Sequence, residues 1–379
     1  MRVVVLGGGL VGGVMARDLA RDGEFDVTVA DVSAKVLGRL EGVVGLTTVR
    51  ADLSDAGSIR RVVDGNDLVV GAVPGHMGFA ALKAVIEAGK SIVDISFFSE
   101  DALALDALAR QHGVCAVVDC GIAPGCSNLI LGRMETDFDQ VDRFICYVGG
   151  LPAVRTWPWE YKAPFSPSDV LEEYTRPARY VAAGRMVTMP ALSEPEFVEF
   201  PEVGTLEAFN TDGLRSLLVT VKVPFMIEKT MRYPGHIEKI RVLRESGFFG
   251  TEPIEVGGIR VKPLDVTSHL LFPSWQFGPG EEDLTAMRVI VEGAKEGRRL
   301  RRSFEMVDRF DRGTGTTSMA RTTGFTCTAG VRLVAQGLWK RKGVSPPEFI
   351  GREPRCYDFI MDELAKRGVM FQETITPLG

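Results

Sequence analysis

The sequence predicts an α/β protein: an N-terminal doubly wound parallel sheet followed by an inserted α+β domain. Three observations carry that expectation. Short apolar runs alternate with amphipathic stretches over the first 128 residues. A glycine-rich turn joins the first run to the first amphipathic stretch. After Asn128 the rhythm gives way to alternation of the kind antiparallel strands show.

The opening run, MRVVVL, reads as a strand beginning at Arg2 or Val3. GGGLVG follows, with glycines at Gly7, Gly9 and Gly12, and then a helix to about Asp22 with Val11, Val14, Met15 and Leu19 on one face. A second run, Val27 to Ala30, ends on Asp31. Strand, glycine turn, helix, strand and acid together form the dinucleotide-binding fingerprint of a Rossmann domain. Gly7 permits the tight turn, Gly9 lets the backbone approach a pyrophosphate, and Gly12 lets helix and strand pack closely. Free N–H groups at the helix start face the phosphates. Asp31 lies nineteen residues after Gly12, where a carboxylate accepts from both ribose hydroxyls and repels a 2′-phosphate. The expected cofactor is therefore NAD rather than NADP, held by Gly7, Gly8, Gly9, Leu10, Val11, Gly12, Asp31 and Val32.

The alternation continues. Thr47 to Arg50 is a third strand, followed by Ala51, Asp52 and Leu53, and Ser54 caps a helix through Val63. Leu68 to Val73 is nearly all apolar, as a parallel strand covered on both faces is. PGHMG opens a helix to about Ala88, Ser91 to Ile95 is a fifth strand, Ser99 caps a helix to about Gln111, and Val114 to Asp119 is a sixth strand. Six such strands fit the order 3-2-1-4-5-6, with ligands outside their carboxyl ends. Those ends add Asp52, Leu53, Ala72, Val73, Pro74 and Ile95 to the cofactor candidates. Ser96, and Ala123 with Pro124 in the Asp119 to Asn128 loop, are substrate candidates.

Past Asn128, Phe144 to Gly150 is a strand, and Met287 to Glu292 with Leu300 to Val307 reads as a hairpin turning at Glu296-Gly297. The small-residue apolar stretch from Thr316 to Gln336 suits a buried helix. The expected domains are 1–128 for the cofactor, 129–315 for substrate and subunit contact, and 316–379 returning to the first domain.

Composition excludes several classes. Apolar residues at 45% and charged residues at 25% are ordinary for a globular protein with a large core. A net charge of −6 argues against a nucleic-acid surface. The one basic run, Lys295 to Arg302, sits between alternating runs and reads as a solvated hairpin. No apolar stretch reaches the ~18–20 residues of a membrane span, and a strand at the start leaves no room for a signal peptide. Six cysteines without a CxxC pair fit reduced, buried thiols of a cytoplasmic protein, and four histidines offer no metal-ligand spacing.

The second domain carries a specific resemblance. DCGIAPGCSN (Asp119 to Asn128), YVGGLP (Tyr147 to Pro152), EYKAPFSP (Glu160 to Pro167), LEAFNTDG (Leu206 to Gly213) and MRYPGH (Met231 to His236) occur in order. Together with KRKGVSPPEFIG (Lys340 to Gly351), they make the chain similar to the saccharopine dehydrogenase (saccharopine reductase) family over nearly its full length. The resemblance implies a dehydrogenase acting on an amine, with its site in the cleft between domains. Within the family the chain most resembles members that oxidise the ε-amine of L-lysine with NAD. Fungal-type saccharopine reductases carry an Arg in an NRDS-like motif where this chain has Asn210-Thr211-Asp212-Gly213, and an Asp in a DPG motif where it has Ala123-Pro124-Gly125. Arg is the usual bidentate carboxylate ligand, so its absence points to a smaller amine, although Arg215 lies three residues on. Asp94 to Phe98 also departs from the Gly/His-rich segment of the lysine-oxidising members.

The reaction needs a neutral amine, and a free lysine ε-amine has a pKa of about 10.4. A base or an apolar cationic pocket is required. Lys162 in the EYK segment and His236 in the PGH turn are the catalytic candidates; Asp212, Arg215 and Arg232 are substrate candidates. The first reading is oxidation of the lysine ε-amine to the semialdehyde. The second is a secondary-amine dehydrogenase of the saccharopine or carboxynorspermidine type. The third is a non-catalytic NAD-binding protein. The expected partners are a small amino-acid or amine substrate and further copies of the chain, bound through the second domain to make a homo-oligomer, with no nucleic acid, no membrane and no metal.

Overall fold

A computed structural model describes all residues, Met1–Gly379. It divides into two compact units. The first comprises Met1–Val141, Gly293–Arg299 and Ala320–Met370; the second comprises Asp142–Glu292, Leu300–Met319 and Phe371–Gly379.

The first unit opens with strict alternation: β1 (Arg2–Leu6), α1 (Gly12–Arg21), β2 (Asp26–Asp31), α2 (Ala34–Gly38), β3 (Leu46–Arg50), α3 (Ala56–Val63), β4 (Leu68–Gly71), α4 (Gly75–Glu87), β5 (Ser91–Asp94), α5 (Asp106–Gln111), β6 (Cys115–Val117) and α6 (Cys126–Asp137). The strands lie parallel in the expected order β3-β2-β1-β4-β5-β6. Val3 to Leu6 of β1 and all of β4 are buried, which is why both read as unbroken apolar runs. On α1, Met15, Ala16, Leu19 and Ala20 face the core, each large side chain contributing about 1.5–3 kcal/mol by leaving water.

Two helix starts differ from the sequence reading. The caps are Asp55 for α3 and, for the 3-10 turn Ala102–Leu105 that leads into α5, Asp101, not Ser54 and Ser99: Asp55 accepts from the Ser58 amide at 2.7 Å and Asp101 from the Leu103 amide at 2.9 Å. Ser54 donates its N–H and O–H to Asp52 instead. A carboxylate at the positive end of a helix gains from the dipole as well as the hydrogen bond, and so wins over a neighbouring hydroxyl.

The second unit is built on a mixed sheet. In chain order its elements are β7 (Gln140–Pro152), α7 (Pro167–Thr175), β8 (Ala178–Ala182), β9 (Arg185–Met189), β10 (Glu196–Phe200), β11 (Gly204–Asn210), α8 (Leu217–Thr220), β12 (Phe225–Arg232), α9 (His236–Glu245), β13 (Ile254–Val256), β14 (Ile259–Val261), α10 (Pro263–Trp275), β15 (Asp283–Lys295) and β16 (Arg298–Arg309). The turn between β15 and β16 is Glu296-Gly297, both at positive φ (52° and 73°), as two-residue hairpins require. The chain continues as α11 (Ser318–Ala335), β17 (Gly343–Ser345), α12 (Pro347–Gly351), α13 (Pro354–Lys366) and β18 (Gln372–Pro377). The large sheet runs β10-β11-β12-β7-β15-β16-β18, with β8 and β9 appended to β12, and β13 with β14 forms a separate two-stranded sheet.

The C-terminal segment is split between the units, whereas the sequence reading returns all of it to the first domain. β17 adds a seventh parallel strand beside β6, and β18 pairs antiparallel with β16. Three residues have no readable period, so β17 is invisible in the sequence. Buried charge fastens the returning helices. Asp18 of α1 accepts from Arg332 and Thr328 of α11, at 2.8 and 2.6 Å, and from Arg367 just past α13 at 2.7 Å. Burial pushes the Asp18 carboxyl up, but Arg332, Thr328 and Arg367 outweigh it and hold the group below its ordinary range.

Candidate functional site

The carboxyl edge of the parallel sheet is continuous, because residues just past each strand keep bonding to the neighbouring strand's end. Ala51 N–H donates to Asp31, Gly7 to Ala30, Ala72 to Leu6, Ile95 to Gly71 and Cys120 to Asp94, at 2.8–3.1 Å. That row brings together the residues expected at a cofactor: the Gly7 to Gly12 loop, Asp31 with Val32, Asp52 with Leu53, Ala72 to Pro74, and Ile95. Ser96 and the loop holding Ala123 and Pro124 lie on the same edge, the latter closed by a bond from Gly121 N–H to the Pro124 carbonyl at 3.2 Å.

The glycine loop is shaped for a ligand. Gly7 sits at φ 102°, and a Cβ there would strike the Ala72 carbonyl; a Cβ on Gly12 would strike the Gly7 carbonyl. Both glycines are thus required by the fold itself. Gly9 differs: a Cβ there meets nothing within 4 Å, so the loop faces open space at the position where a pyrophosphate approaches. Nearby Leu10 and Val32 are exposed. The Ser96 hydroxyl is buried on the same edge with no hydrogen-bond partner. An open glycine cradle and an orphaned hydroxyl fit a bound dinucleotide.

Asp31 is held in place by backbone. Its Oδ2 accepts from Gly8 N–H and its Oδ1 from Ser33 N–H, both at 2.8 Å, leaving lone pairs on each oxygen for ribose hydroxyls. One neighbour escapes a reading based on the glycine motif. Arg50, the last residue of β3, lies directly beside Asp31 in register and anchors its Nε to the Val32 carbonyl at 3.1 Å. Aligning the third strand against the second would have found it.

The second unit holds the remaining candidates, and several of them are interior. Arg232 is 2% exposed. Its Nε donates to Tyr174 Oη at 3.1 Å, Nη1 to the Met231 carbonyl at 2.9 Å, and Nη2 to Tyr161 Oη at 3.5 Å and to Glu173 at 2.7 Å. Four of its five N–H groups are thus committed inside the unit. His236 Nε2 meets Tyr174 Oη at 2.9 Å and Nδ1 meets the Trp159 carbonyl at 2.9 Å. A carbonyl only accepts, so Nδ1 carries the proton and Nε2 accepts from Tyr174, whose oxygen accepts from Arg232. Burial, with help from Arg232, lowers His236 to about 3, and the ring stays neutral. Tyr161, Tyr174 and Trp275 close around it, with ring centroids 5.0–6.5 Å from the imidazole.

Asp212 is clamped by Arg179 through two bonds of 2.8 Å. Arg215 is buried at φ 52°. Beside them Glu228 is buried against Thr211 and Gly213, and burial followed by the Glu173 charge pushes it up to about 8. Lys162 is different. It is half-buried, and its Nζ donates to Glu281 at 2.7 Å and to the Gln276 carbonyl at 3.1 Å. Glu281 is held below its ordinary range chiefly by the Lys162 hydrogen bond. Of the catalytic candidates, Lys162 keeps access to solvent and His236 does not. The partners Glu173, Tyr174, Trp159 and Glu281 lie 59, 62, 77 and 119 residues from the groups they hold, so no local pattern announces them. The six cysteines are all buried and unpaired in disulfides; burial pushes Cys126 up to about 12, which suits packing rather than reaction. No group of three or more His, Cys, Asp or Glu side chains is placed to hold a metal ion, and no helix is long and apolar enough to cross a membrane.

Fold and sheet edge together define a nucleotide-binding α/β protein with a second mixed-sheet unit. The saccharopine dehydrogenase NADP-binding domain matches residues 3–117 and the saccharopine dehydrogenase C-terminal domain matches residues 121–369. The chain belongs to the saccharopine dehydrogenase family and is an oxidoreductase of that family. The L-glutamate-forming, NADP(+) saccharopine dehydrogenase of Schizosaccharomyces pombe is 22% identical over 98% of both chains. The carboxyaminopropylagmatine dehydrogenase of Synechocystis is 21% identical over 99% of this chain and 98% of its own. The carboxynorspermidine synthase of Vibrio cholerae is 24% identical over 93% of each. Among solved structures, apo saccharopine dehydrogenase (L-Glu forming) of Saccharomyces cerevisiae superposes with a TM-score of 0.81 at 20% identity, over 99% of both chains, which establishes the shared fold.

Proposed function

We propose that this enzyme oxidises the primary amine of an amino acid with NAD, and that its substrate is the ε-amine of L-lysine. The observation that carries the cofactor assignment is the Asp31 carboxylate, fixed by the Gly8 and Ser33 amides at the end of β2. A 2′-phosphate there would meet a fixed negative charge, so NAD is favoured even though the S. pombe relative is named for NADP(+). Gly7 to Gly12 take the pyrophosphate, Asp31 accepts from the ribose, and Ala72 to Pro74 with Ile95 and Ser96 line the rest of the sheet edge. When bound, the nicotinamide supplies the hydride acceptor.

The residues of the chain must then supply a neutral amine and a proton path. We assign that work to Lys162, with Glu281 as its counter-ion, because its side chain is only half-buried. His236 is less suited, since both ring nitrogens are already bonded and the ring is neutral across ordinary pH. Hydride loss from the amine-bearing carbon leaves an imine; water adds to it, ammonia departs, and the semialdehyde remains. Asn210-Thr211-Asp212-Gly213 supports a small substrate, because no Arg stands within it to bind an extra carboxylate. The second reading, a secondary-amine dehydrogenase, is favoured by the names of the relatives and by Arg215 close by. The assembly we propose is a homo-oligomer held through the second unit.

The test is direct. Purified protein is mixed with NAD or NADP and with lysine, saccharopine or other amino acids, and reduced cofactor is followed by absorbance. Turnover of lysine with NAD, rising toward alkaline pH, is expected. Turnover of saccharopine alone would transfer the assignment to the second reading. Lys162→Met should cut kcat by roughly 10²–10⁴-fold with NAD binding intact, the range of a lost acid–base group. An active variant with an unchanged pH–rate profile removes Lys162 from the mechanism.

A further inference from the structure

The segment Lys340 to Gly351 carries part of the family resemblance and has no part in the site described so far. It ends in α12, which lies against α6 with the two backbones nearly touching. A Cβ added to Gly132 of α6 would strike the Glu348 carbonyl at 2.2 Å, and one added to Gly351 would strike the Leu129 carbonyl at 2.1 Å. A glycine on each helix permits that approach. The contact sets Glu348, a fully buried acid, beside Asn128, the third residue of α6 and equally buried. Asn128 Nδ2 donates to Glu348 Oε2 at 3.3 Å, across 220 residues of sequence. On its other side, Asn128 Oδ1 accepts from the Gly125 N–H at 3.3 Å and from the Ser127 hydroxyl at 3.0 Å. Gly125 is the N-cap of α6 and closes the loop that carries Ala123 and Pro124. Its φ is 141°, and a Cβ there would strike the Gly121 carbonyl. Gly121 N–H donates to the Pro124 carbonyl at 3.2 Å, and Cys126 N–H to the Gly121 carbonyl at 3.1 Å. The loop is thus a tight ring of backbone whose exit is held by the Asn128 amide.

We infer that Glu348 is a positioning residue for the substrate site: it orients Asn128, and Asn128 sets the Ala123-Pro124 loop where substrate meets it. The inference rests on the reading, made above, that this loop lines the substrate site. An ionised carboxylate only accepts, so Glu348 admits one orientation of the Asn128 amide, with Nδ2 toward α12 and Oδ1 toward Gly125. Turned over, the amide would oppose its own N–H donors to the Gly125 N–H. A helix needs no such arrangement merely to begin. A third-position side chain that bonds back to the N-cap amide is ordinary at helix starts, and water serves an exposed start as well. Here the device is interior, with a buried acid behind it. Burying a carboxylate costs free energy that an apolar side chain of the same size would not. Its return is a single geometry for the loop rather than net stability.

Glu348→Gln in the full chain tests it, because a glutamine keeps the shape and adds a donor, which lets the Asn128 amide sit either way. With lysine and with saccharopine as probes, KM should rise and kcat/KM fall roughly 10–100-fold, as a displacement of about 1 Å in a site produces. NAD affinity by calorimetric titration should stay at the wild-type value. Asn128→Asp combined with Glu348→Gln exchanges donor and acceptor. The aspartate accepts from Gly125 and Ser127 on one oxygen and from the glutamine NH2 on the other, so most of the lost kcat/KM should return. Hydrogen exchange read by mass spectrometry follows the loop without turnover. Residues 119–128 should exchange faster in Glu348→Gln and recover in the double variant, with the strand and glycine loop of residues 2–12 unchanged. A loss confined to the unfolding midpoint, with KM and exchange as in wild type, would make Glu348 a packing residue and overturn the proposal. A double variant no better than the single one overturns it too. Should Glu348→Gln not fold, Ser127→Ala removes one donor to the same amide, and unchanged KM and exchange there are equally decisive against it. Wild type inert toward both amines, with the exchange result as expected, would refute the proposed function alone, since Glu348 would still order the loop.

Discussion

The sheet edge of the first unit and the polar interior of the second use similar residues to opposite ends. At the sheet edge, Asp31 is held by two backbone amides and still has lone pairs to offer, Gly9 faces open space, and the Ser96 hydroxyl has no partner. In the interior, Arg232, Tyr174 and His236 satisfy one another in a chain from guanidinium to the Trp159 carbonyl, leaving little for a ligand. The difference teaches how to separate binding from architecture. A polar group fixed by backbone at the open end of a sheet retains capacity, and a polar group fixed by other buried side chains has spent it. The same residue type inside a family motif can be either.

Removing Arg232 should sharpen that contrast most. Arg232→Leu strands the half-buried Glu173 carboxylate and the buried Tyr174 oxygen, and losing one partner of a buried pair costs up to about 3–5 kcal/mol. The denaturant midpoint of the second unit should fall accordingly. If the midpoint holds and only the KM for substrate rises, Arg232 is a substrate ligand and the interior reading fails.

Gly9→Val probes the opposite pole. A side chain at Gly9 meets no protein atom within 4 Å, so the unfolding midpoint should not move. Nucleotide affinity should drop at least 100-fold, about 2.7 kcal/mol, because the branched side chain fills the pyrophosphate's place. A variant that titrates like wild type shows that the pyrophosphate is not at this loop.

What the sequence made legible follows the same division. The glycine loop, Asp31 and the six-strand order were readable because each depends on neighbours within a few tens of residues. The hairpin turn at Glu296-Gly297 was readable for the same reason. The caps at Asp55 and Asp101 were missed because a serine stood just before each acid, and hydroxyls satisfy the same local rule. β17 was missed because its three residues become a strand only when β6 is beside them. Arg232 and His236 could be picked out by motif, but their enclosure could not. Tyr174 and Trp159 reach them through tertiary packing alone.

Asp31→Ser tests whether the backbone-held carboxylate selects the cofactor. Losing hydrogen bonds to a charged acceptor should weaken NAD by roughly 1–3 kcal/mol in a calorimetric titration. NADP should bind the variant more tightly than it binds wild type, since the fixed negative charge is gone and Arg50 remains beside the site. Equal affinities of wild type for NAD and NADP would remove Asp31 as the discriminator.

The smallest effect, read per pH unit, belongs to Glu228. Its carboxyl is buried beside Glu173 and Asp212, bonds to Thr211 and the Gly213 amide soften it, and it is raised from an ordinary 4.5 to about 8. Asp18 in the first unit is also buried, yet two arginines keep it charged. A raised acid holds its proton in the folded state while the unfolded chain releases it above about 4.5. The unfolded state then binds fewer protons, so this contribution to stability falls as pH climbs from about 4.5 to about 8 and is flat beyond. The slope is at most about 1.4 kcal/mol per pH unit. Glu228→Gln keeps the shape and removes the titration. Its advantage over wild type should therefore grow by up to about 1.4 kcal/mol between pH 6 and pH 7, with the two curves running parallel above pH 8. Denaturant midpoints across that range decide it: curves parallel from pH 5 to pH 8 would mean Glu228 ionises as an ordinary carboxylate, and the second unit's interior would then accommodate charge as readily as Asp18's network does in the first.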